Sequence, residues 1–414
     1  MTLITYNPVQ INEEIEIKLP YSKSISNRAL ILCFLTDKNY KSIQISDADD
    51  SKLLVEKLNL IEKNIGSDTF VEININNAGT AMRFLTSLLS ITPGKWILTG
   101  DERMQQRPIG ELVDALISLG ASIKYLKEEG FPPLKIEGRV LEGGEVDIVA
   151  FKSSQFITSL LLIAPFLKNG LKIKLVGNIT SYPYILLTIN LLRNIGVNVY
   201  IFENEITIYN NPFQPKKIKS EIDWSSAGYW YEIVAFSSNV SIKLIGLRKN
   251  DYQGDAILSK IFENFGVHTE FVADGIILRK TKEICKKFDF DFTNYPDIAQ
   301  TIAVTCLGLG ITARLYGLES LKIKETDRFH ALCNELIKIN GSIKIEDESS
   351  FSILPSEIII KDNIKTYNDH RMIMSFAPLA ILTGKIGFDN INHVSKSYPN
   401  FWLDTEKIGI QIED

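Results

Sequence analysis

The chain has 414 residues, with 45 basic against 50 acidic side chains and a net charge of −5. A mildly acidic balance excludes a general nucleic-acid binder. No apolar run is long enough for a membrane span, and the N-terminus lacks a charged-then-apolar signal pattern. The length suits two domains of about 200 residues each. Cys33, Cys285, Cys306 and Cys333 follow no metal spacing, which fits reduced thiols in a cytoplasmic protein.

Residues 15–19 read as a strand, interrupted by Pro20 and Ser22. Lys23-Ser24-Ile25-Ser26-Asn27-Arg28 then opens an amphipathic helix, with Leu30, Ile31 and Phe34 on one face. Lys23 and Ser24 sit where free N–H groups and the positive helix end are exposed, and Arg28 lies one turn on. Such a start suits a small anion, and a capped surface helix explains it equally well. Asn77-Ala78-Gly79-Thr80-Ala81-Met82-Arg83 repeats the pattern, with Thr80 as a candidate cap. In Arg103-Met104-Gln105-Gln106-Arg107-Pro108-Ile109, Pro108 suits the first turn of a helix running to Leu119. Ser153-Ser154-Gln155 heads the apolar run 157–166, Ser181-Tyr182-Pro183 another helix, and Asp223-Trp224-Ser225-Ser226 a further one.

Asp297 follows Pro296 at the head of an apolar helix, an ordinary favourable N-terminal charge taken alone. Lys322-Ile323-Lys324-Glu325-Thr326-Asp327-Arg328 places Lys324 and Arg328 four apart and Glu325 three before Arg328. A salt-bridged exposed helix is the plain alternative. Asn368-Asp369-His370-Arg371-Met372 and Ser395-Lys396-Ser397 close the series.

A unit recurs along this path. A helix ends on Gly, and a strand pair follows, at Gly120, Gly196, Gly266 and Gly341. Weaker copies fit at Gly66 and Gly409, the short first interval implying a trimmed early unit. Six α/β units divide into two domains of three, with a crossing near Asp223–Ser226. If repeats set helices parallel, the cations at their starts converge on a small polyanion, and Asp297 and Glu325 are carboxylates among them.

These ordered motifs, from about Leu19 to Phe401, resemble the 5-enolpyruvylshikimate-3-phosphate (EPSP) synthase family, the 3-phosphoshikimate 1-carboxyvinyltransferases. The resemblance implies an α/β fold of two domains, each three βαβαββ units around a pseudo-three-fold axis (an inside-out α/β barrel), with the active site in the interdomain cleft. The expected domains are 20–224 and 1–19 plus 225–414. The family moves the enolpyruvyl group of phosphoenolpyruvate onto the 5-hydroxyl of shikimate-3-phosphate and releases phosphate, with no metal or organic cofactor.

By the same resemblance Lys23, Asp297 and Glu325 are the catalytic groups. Lys23, Ser24, Arg28, Ser153, Ser154, Gln155, Ser181, Asp297, Ser320 and Lys324 correspond to shikimate-3-phosphate ligands. Lys23, Asn77, Gly79, Arg107, Gln155, Arg328, Arg371 and Lys396 correspond to phosphoenolpyruvate ligands. Asp297 is similar to the carboxylate that takes the 5-hydroxyl proton, and Glu325 to the one that protonates the methylene. A cytoplasmic monomer without nucleic-acid or membrane partners is expected. Tyr21, Asn76, Phe84 and Ser320 depart from the usual family residues. The sister family acting on UDP-N-acetylglucosamine usually carries a Cys, sometimes an Asp, in a Gly-rich loop near Arg103, whereas Asp101–Arg107 contains no Cys and the shikimate-type Ser153-Ser154-Gln155 is present. A non-catalytic anion-binding repeat protein is the alternative of another class, in which Asp297 and Glu325 are dispensable.

Overall fold

The computed structural model describes residues 2–9, 14–36, 43–151, 153–210, 218–238, 240–249 and 251–413. It forms two compact units. The mid-chain unit comprises Lys23–Ser46 and Asp50–Ser220; the terminal unit comprises Met1–Ser22, Asp47–Asp49 and Glu221–Asp414.

The mid-chain unit carries α1 (Lys23–Thr36), α2 (Asp49–Lys63), α3 (Gly79–Ile91), α4 (Gly110–Ser118), α5 (Ser154–Ile163) and α6 (Tyr182–Asn194). One sheet orders its strands as Phe70–Asn74, Gly94–Thr99, Leu134–Gly138 and Ser122–Tyr125. The first pair is parallel and the other two pairings are antiparallel. The second sheet, Gly144–Val149, Leu171–Val176, Glu205–Ile208 and Val199–Phe202, repeats that pattern. Each is therefore strand, helix, strand, helix, hairpin. Residues 43–66 and α1 precede them with helices and, among the described residues, no sheet strand.

The terminal unit carries α7 (Trp224–Phe236), α8 (Leu258–Ile261), α9 (Ala299–Gly308), α10 (Arg328–Lys338), α11 (His370–Phe376), α12 (Ala380–Thr383) and α13 (Phe401–Glu406). Strands Lys287–Asp291, Thr312–Tyr316, Ser350–Leu354 and Ser342–Asp347 form a third sheet of the same pattern. A fourth pairs Ile15–Ile17 in parallel with Ser241–Ile245, followed by Gly275–Lys280 and Val267–Val272. In that unit the whole mid-chain unit is inserted between the first strand and its helix, α7. The fifth sheet is three-stranded, with Thr2–Tyr6 between Lys385–Phe388 and Ile410–Glu413.

Each unit has its own apolar core. Helices apolar on every side must be enclosed. In α5 only Gln155 escapes full burial, in α7 only Ser225, and all of α11 is buried. The polar residues that are not enclosed sit at helix starts, so these ends are where chemistry is available.

Three of the four clear repeat glycines hold a positive φ: Gly120 (97°), Gly196 (98°) and Gly266 (74°). At the fourth the left-handed residue is instead Asn340 (φ 69°), since Asn also tolerates that region. Gly341 is required for space, because a Cβ there would lie 2.5 Å from the Leu336 carbonyl oxygen. Two motif details also differ from expectation. Thr80 lies inside α3, whose cap is Ala78, and Pro108 precedes α4, which starts only at Gly110.

Candidate active site

In the mid-chain unit Arg28 ties three helix starts together. It is 3% exposed. Its Nη1 donates to the Ser24 carbonyl of its own helix (2.7 Å), and its Nε to Thr188 Oγ1 of α6 (2.8 Å). Its Nη2 donates to Thr158 Oγ1 of α5 (3.4 Å) and to the Tyr184 carbonyl (3.3 Å). Three of the partners lie within about one turn of a helix start, Ser24 in α1, Tyr184 in α6 and Thr158 in α5, and Thr188 lies nearly two turns into α6. One guanidinium thus aligns the N-terminal turns of α1, α5 and α6, whose free N–H groups and dipoles favour an anion. Burial pushes the Arg28 pKa down to about 10, against the pull of Tyr184, and it remains a cation at neutral pH. Its guanidinium also lies 5.5 Å from the centre of the Phe84 ring, one of the departing residues.

The side chains expected at this end fall beside those turns. Ser153 caps α5, its Oγ accepting the Gln155 N–H at 3.2 Å. Ser181 precedes α6 with φ 55° and is 6% exposed. Lys23 opens α1 and pairs with Asp50 at 2.9 Å. Arg107, just after the single turn Met104–Gln106, reaches the segment that leads into α3: its Nη1 donates to Asn77 Oδ1 at 3.4 Å. A Cβ on Gly79 would lie 2.6 Å from Arg107 Nη2, so the guanidinium lies directly over the glycine at the head of that helix. Asn76, another departure, has φ 48°, a conformation Asn shares with the Gly common there.

In the terminal unit the ends of α9, α10 and α11 carry a compact knot of charge. Asp297 sits in the single turn Pro296–Ile298 that leads into α9. Arg371 Nη2 is 3.1 Å from its Oδ2; Lys324 Nζ and Arg328 Nη1 are 3.3 Å and 3.5 Å from its Oδ1. Arg328, 2% exposed, also reaches Glu325 at 2.8 Å and Asp369 at 2.6 Å. Asp369 in turn caps α11 by accepting the Arg371 N–H. Burial alone would raise the Asp297 pKa, but Arg371, then Lys324 and Arg328, outweigh it and hold the carboxyl well below the usual range. Arg328 is held above its usual value: burial opposes, and Asp369 and Glu325 prevail.

The exposed salt-bridged helix considered for 322–328 does not form. Lys324 is extended, α10 begins at Arg328, and Arg328 is enclosed. Ser320 lies in the single turn Glu319–Ile323, its buried hydroxyl without a hydrogen-bond partner among the described residues. Lys396 ends the turn Asn392–Lys396, whose His393 Nε2 donates to Asn368 Oδ1 at 3.1 Å, beside the segment leading into Arg371.

Sequence patterns did not single out Asp50, Thr158 and Thr188, and gave Asp369 no role of its own within the motif 368–372. Asp50 had a usable signal, an acidic run Asp47–Asp50 ahead of a helical period. Thr158 and Thr188 had none, being single hydroxyls inside apolar runs.

The sequence matches the family model described as EPSP synthase (3-phosphoshikimate 1-carboxyvinyltransferase) over residues 8–404. The chain belongs to the EPSP synthase family. It is similar to the 3-phosphoshikimate 1-carboxyvinyltransferase of Bacteroides fragilis, at 45% identity over 98% of this chain and 97% of that protein. The protein of the same name from Shewanella piezotolerans is 37% identical over 93% and 95%. EPSP synthase from Acinetobacter baumannii, a solved structure, shares the fold with a TM-score of 0.76 at 19% identity, covering 100% of this chain and 99% of that one. EPSP synthases are thus the relatives in both sequence and fold. No described helix is long and apolar enough to cross a membrane.

Proposed function

We propose that this chain transfers the enolpyruvyl group of phosphoenolpyruvate to the 5-hydroxyl of shikimate-3-phosphate, releasing phosphate in the shikimate pathway. The observation that carries the assignment of roles is the Asp297–Arg328–Glu325 arrangement, in which two carboxylates share one enclosed guanidinium.

The chemistry requires two proton transfers. The 5-hydroxyl oxygen bonds to C2 of phosphoenolpyruvate as its proton passes to Asp297, while Glu325 delivers a proton to the methylene carbon. The resulting tetrahedral intermediate expels phosphate, and loss of a methyl proton restores the double bond. Ser24, Arg28, Ser153, Ser154, Gln155, Ser181, Ser320 and Lys324 hold shikimate-3-phosphate, with Asp297 on its hydroxyl. Asn77, Gly79, Arg107, Gln155, Arg328, Arg371 and Lys396 hold phosphoenolpyruvate, and Lys23 touches both substrates and assists proton transfer. Support for the phosphate ligands is the alignment of three helix starts around Arg28. Support for Ser320 is its unpartnered hydroxyl. A monomer in the cytoplasm, using no cofactor, belongs to the same proposal.

The test is phosphate release by purified protein given phosphoenolpyruvate and shikimate-3-phosphate. Release with that pair and none with UDP-N-acetylglucosamine is the expected result. Absence of release, or equal release with the sugar nucleotide, defeats the assignment.

A further inference from the structure

Arg83 carries a buried guanidinium that no step above uses. It lies one turn past Gly79 on α3 and is 4% exposed. Its Nη2 donates to the Pro108 carbonyl at 2.8 Å, and its Nη1 to the Gly79 carbonyl at 3.2 Å. Nη1 also lies 3.7 Å from Sδ of Met104, in the single turn just before Arg107. One planar fork thus joins the head of α3 to the chain on both sides of Arg107.

Both carbonyls bear on where Arg107 points. Pro108 follows Arg107 directly, and Gly79 is the residue its guanidinium covers, a Cβ there falling 2.6 Å from Arg107 Nη2. Arg83 is itself fixed from α5. Its carbonyl accepts the Ser159 hydroxyl at 2.5 Å, and its guanidinium lies 6.0 Å from the centre of the Phe156 ring, next to Gln155. Burying a cation costs free energy that an apolar side chain of similar size would not. What the guanidinium supplies here is geometry: two donors in one plane, set on segments 25 residues or more apart.

We propose that Arg83 is a positioning residue for phosphoenolpyruvate: its fork fixes the Gly79 and Pro108 carbonyls and so holds the Arg107 guanidinium over the head of α3. Arg83 acts through Arg107 and takes no part in proton transfer. The proposal rests on Arg107 being a phosphoenolpyruvate ligand.

The experiment measures kcat and the KM of each substrate for wild type, Arg83→Lys, Arg83→Gln, Arg107→Ala and the double variant Arg83→Lys/Arg107→Ala, at equal folded content by thermal melting. Arg83→Lys keeps the charge and loses the fork, while the Arg83→Gln amide ends where Nε stands, short of both carbonyls. Both should raise KM for phosphoenolpyruvate about tenfold and leave KM for shikimate-3-phosphate within about twofold. A purely structural role lowers the folded fraction and moves neither KM. In the double variant Arg83→Lys should add less than about twofold to the effect of Arg107→Ala, because both act through one group. A wild-type KM for phosphoenolpyruvate in Arg83→Lys, equal rises in both KM values, or effects that multiply in the double variant overturn the proposal while leaving Arg107 its role. An unchanged KM for phosphoenolpyruvate in Arg107→Ala overturns that role itself. Should Arg83→Lys fail to fold, Arg83→Gln takes its place, alone and combined with Arg107→Ala.

Discussion

The two units anchor their helix starts with a buried arginine each, and they do it in opposite ways. Arg28 is surrounded by neutral acceptors: two threonine hydroxyls and two backbone carbonyls. Its charge is uncompensated at close range, which leaves the mid-chain helix starts able to attract an anion. Arg328 is surrounded by carboxylates, Asp369, Glu325 and Asp297, with Lys324 and Arg371 completing the knot. There the cations are already engaged, and an incoming phosphate or carboxylate must compete with Asp297 for them. The difference teaches that a buried arginine can anchor helix starts through neutral acceptors alone or by sharing its charge among carboxylates.

The sharpest break of this comparison lies in the carboxylates. Asp297→Asn or Glu325→Gln should lower turnover by roughly 10²–10⁴-fold, the usual weight of a positioned acid or base. Calorimetry should find shikimate-3-phosphate still bound by Glu325→Gln. Turnover near wild type in both would reduce the knot to a structural ion cluster. Next in size are the anchors themselves. Arg328→Ala strands Asp369, 0% exposed in the folded chain, and should cost about 3–5 kcal/mol in denaturant unfolding. Arg28→Ala strands only neutral acceptors and should cost about 1–3 kcal/mol. The reverse ranking would contradict the distinction between the two anchors.

A smaller effect is expected at Gly79→Ala. The backbone there accepts alanine, and the new methyl meets the movable end of Arg107 rather than backbone. KM for phosphoenolpyruvate should rise about tenfold while stability changes by less than about 0.5 kcal/mol. An unchanged KM would separate Arg107 from that substrate. The smallest effect is in pH dependence. The carboxyls that burial pushes upward, those of partly buried Glu221 and Asp251 and of enclosed Glu232 and Asp255, belong to the terminal unit. At Glu221 burial, helped by Asp251, outweighs hydrogen bonds from Tyr252 and Gln253 and brings the pKa up to about 7. Between the ordinary carboxylate range and about 7 the folded chain keeps a proton that the unfolded chain has released. Its stability contribution is therefore lost as pH rises through that window. Glu221→Gln has no such proton, so its melting temperature should vary less between pH 5 and pH 8 and lie above wild type at pH 8. A steeper pH dependence in the variant would refute the assignment.

Much of this was legible in the residues because repeats write the same local rules several times. Gly after each helix, then alternation, located four hairpins. Helix-start polar clusters located Lys23, Arg28, Ser153, Ser181, Asp297 and Arg371. What stayed hidden depends on pairing across the chain. Arg28 and Thr188 are 160 residues apart, and Arg328 and Asp369 are 41 apart, so no local period links them. The strand Ile15–Ile17 belongs with Ser241–Ile245, an association that only the assembled sheet reveals. Whether 322–328 would be an exposed helix was undecidable from spacing, since i,i+4 charges look alike on a surface helix and around an enclosed guanidinium.

That split strand also orders events during synthesis. Every residue of the mid-chain unit has been made once Ser220 is added. Thr2–Tyr6, made before that unit, finds its partners only at Lys385–Phe388 and Ile410–Glu413, made after it. At 5–20 residues per second, roughly 10–40 s separate the two moments. During that interval Thr2–Tyr6 lacks its sheet partners, and a strand in that state is an open edge that other chains can pair with.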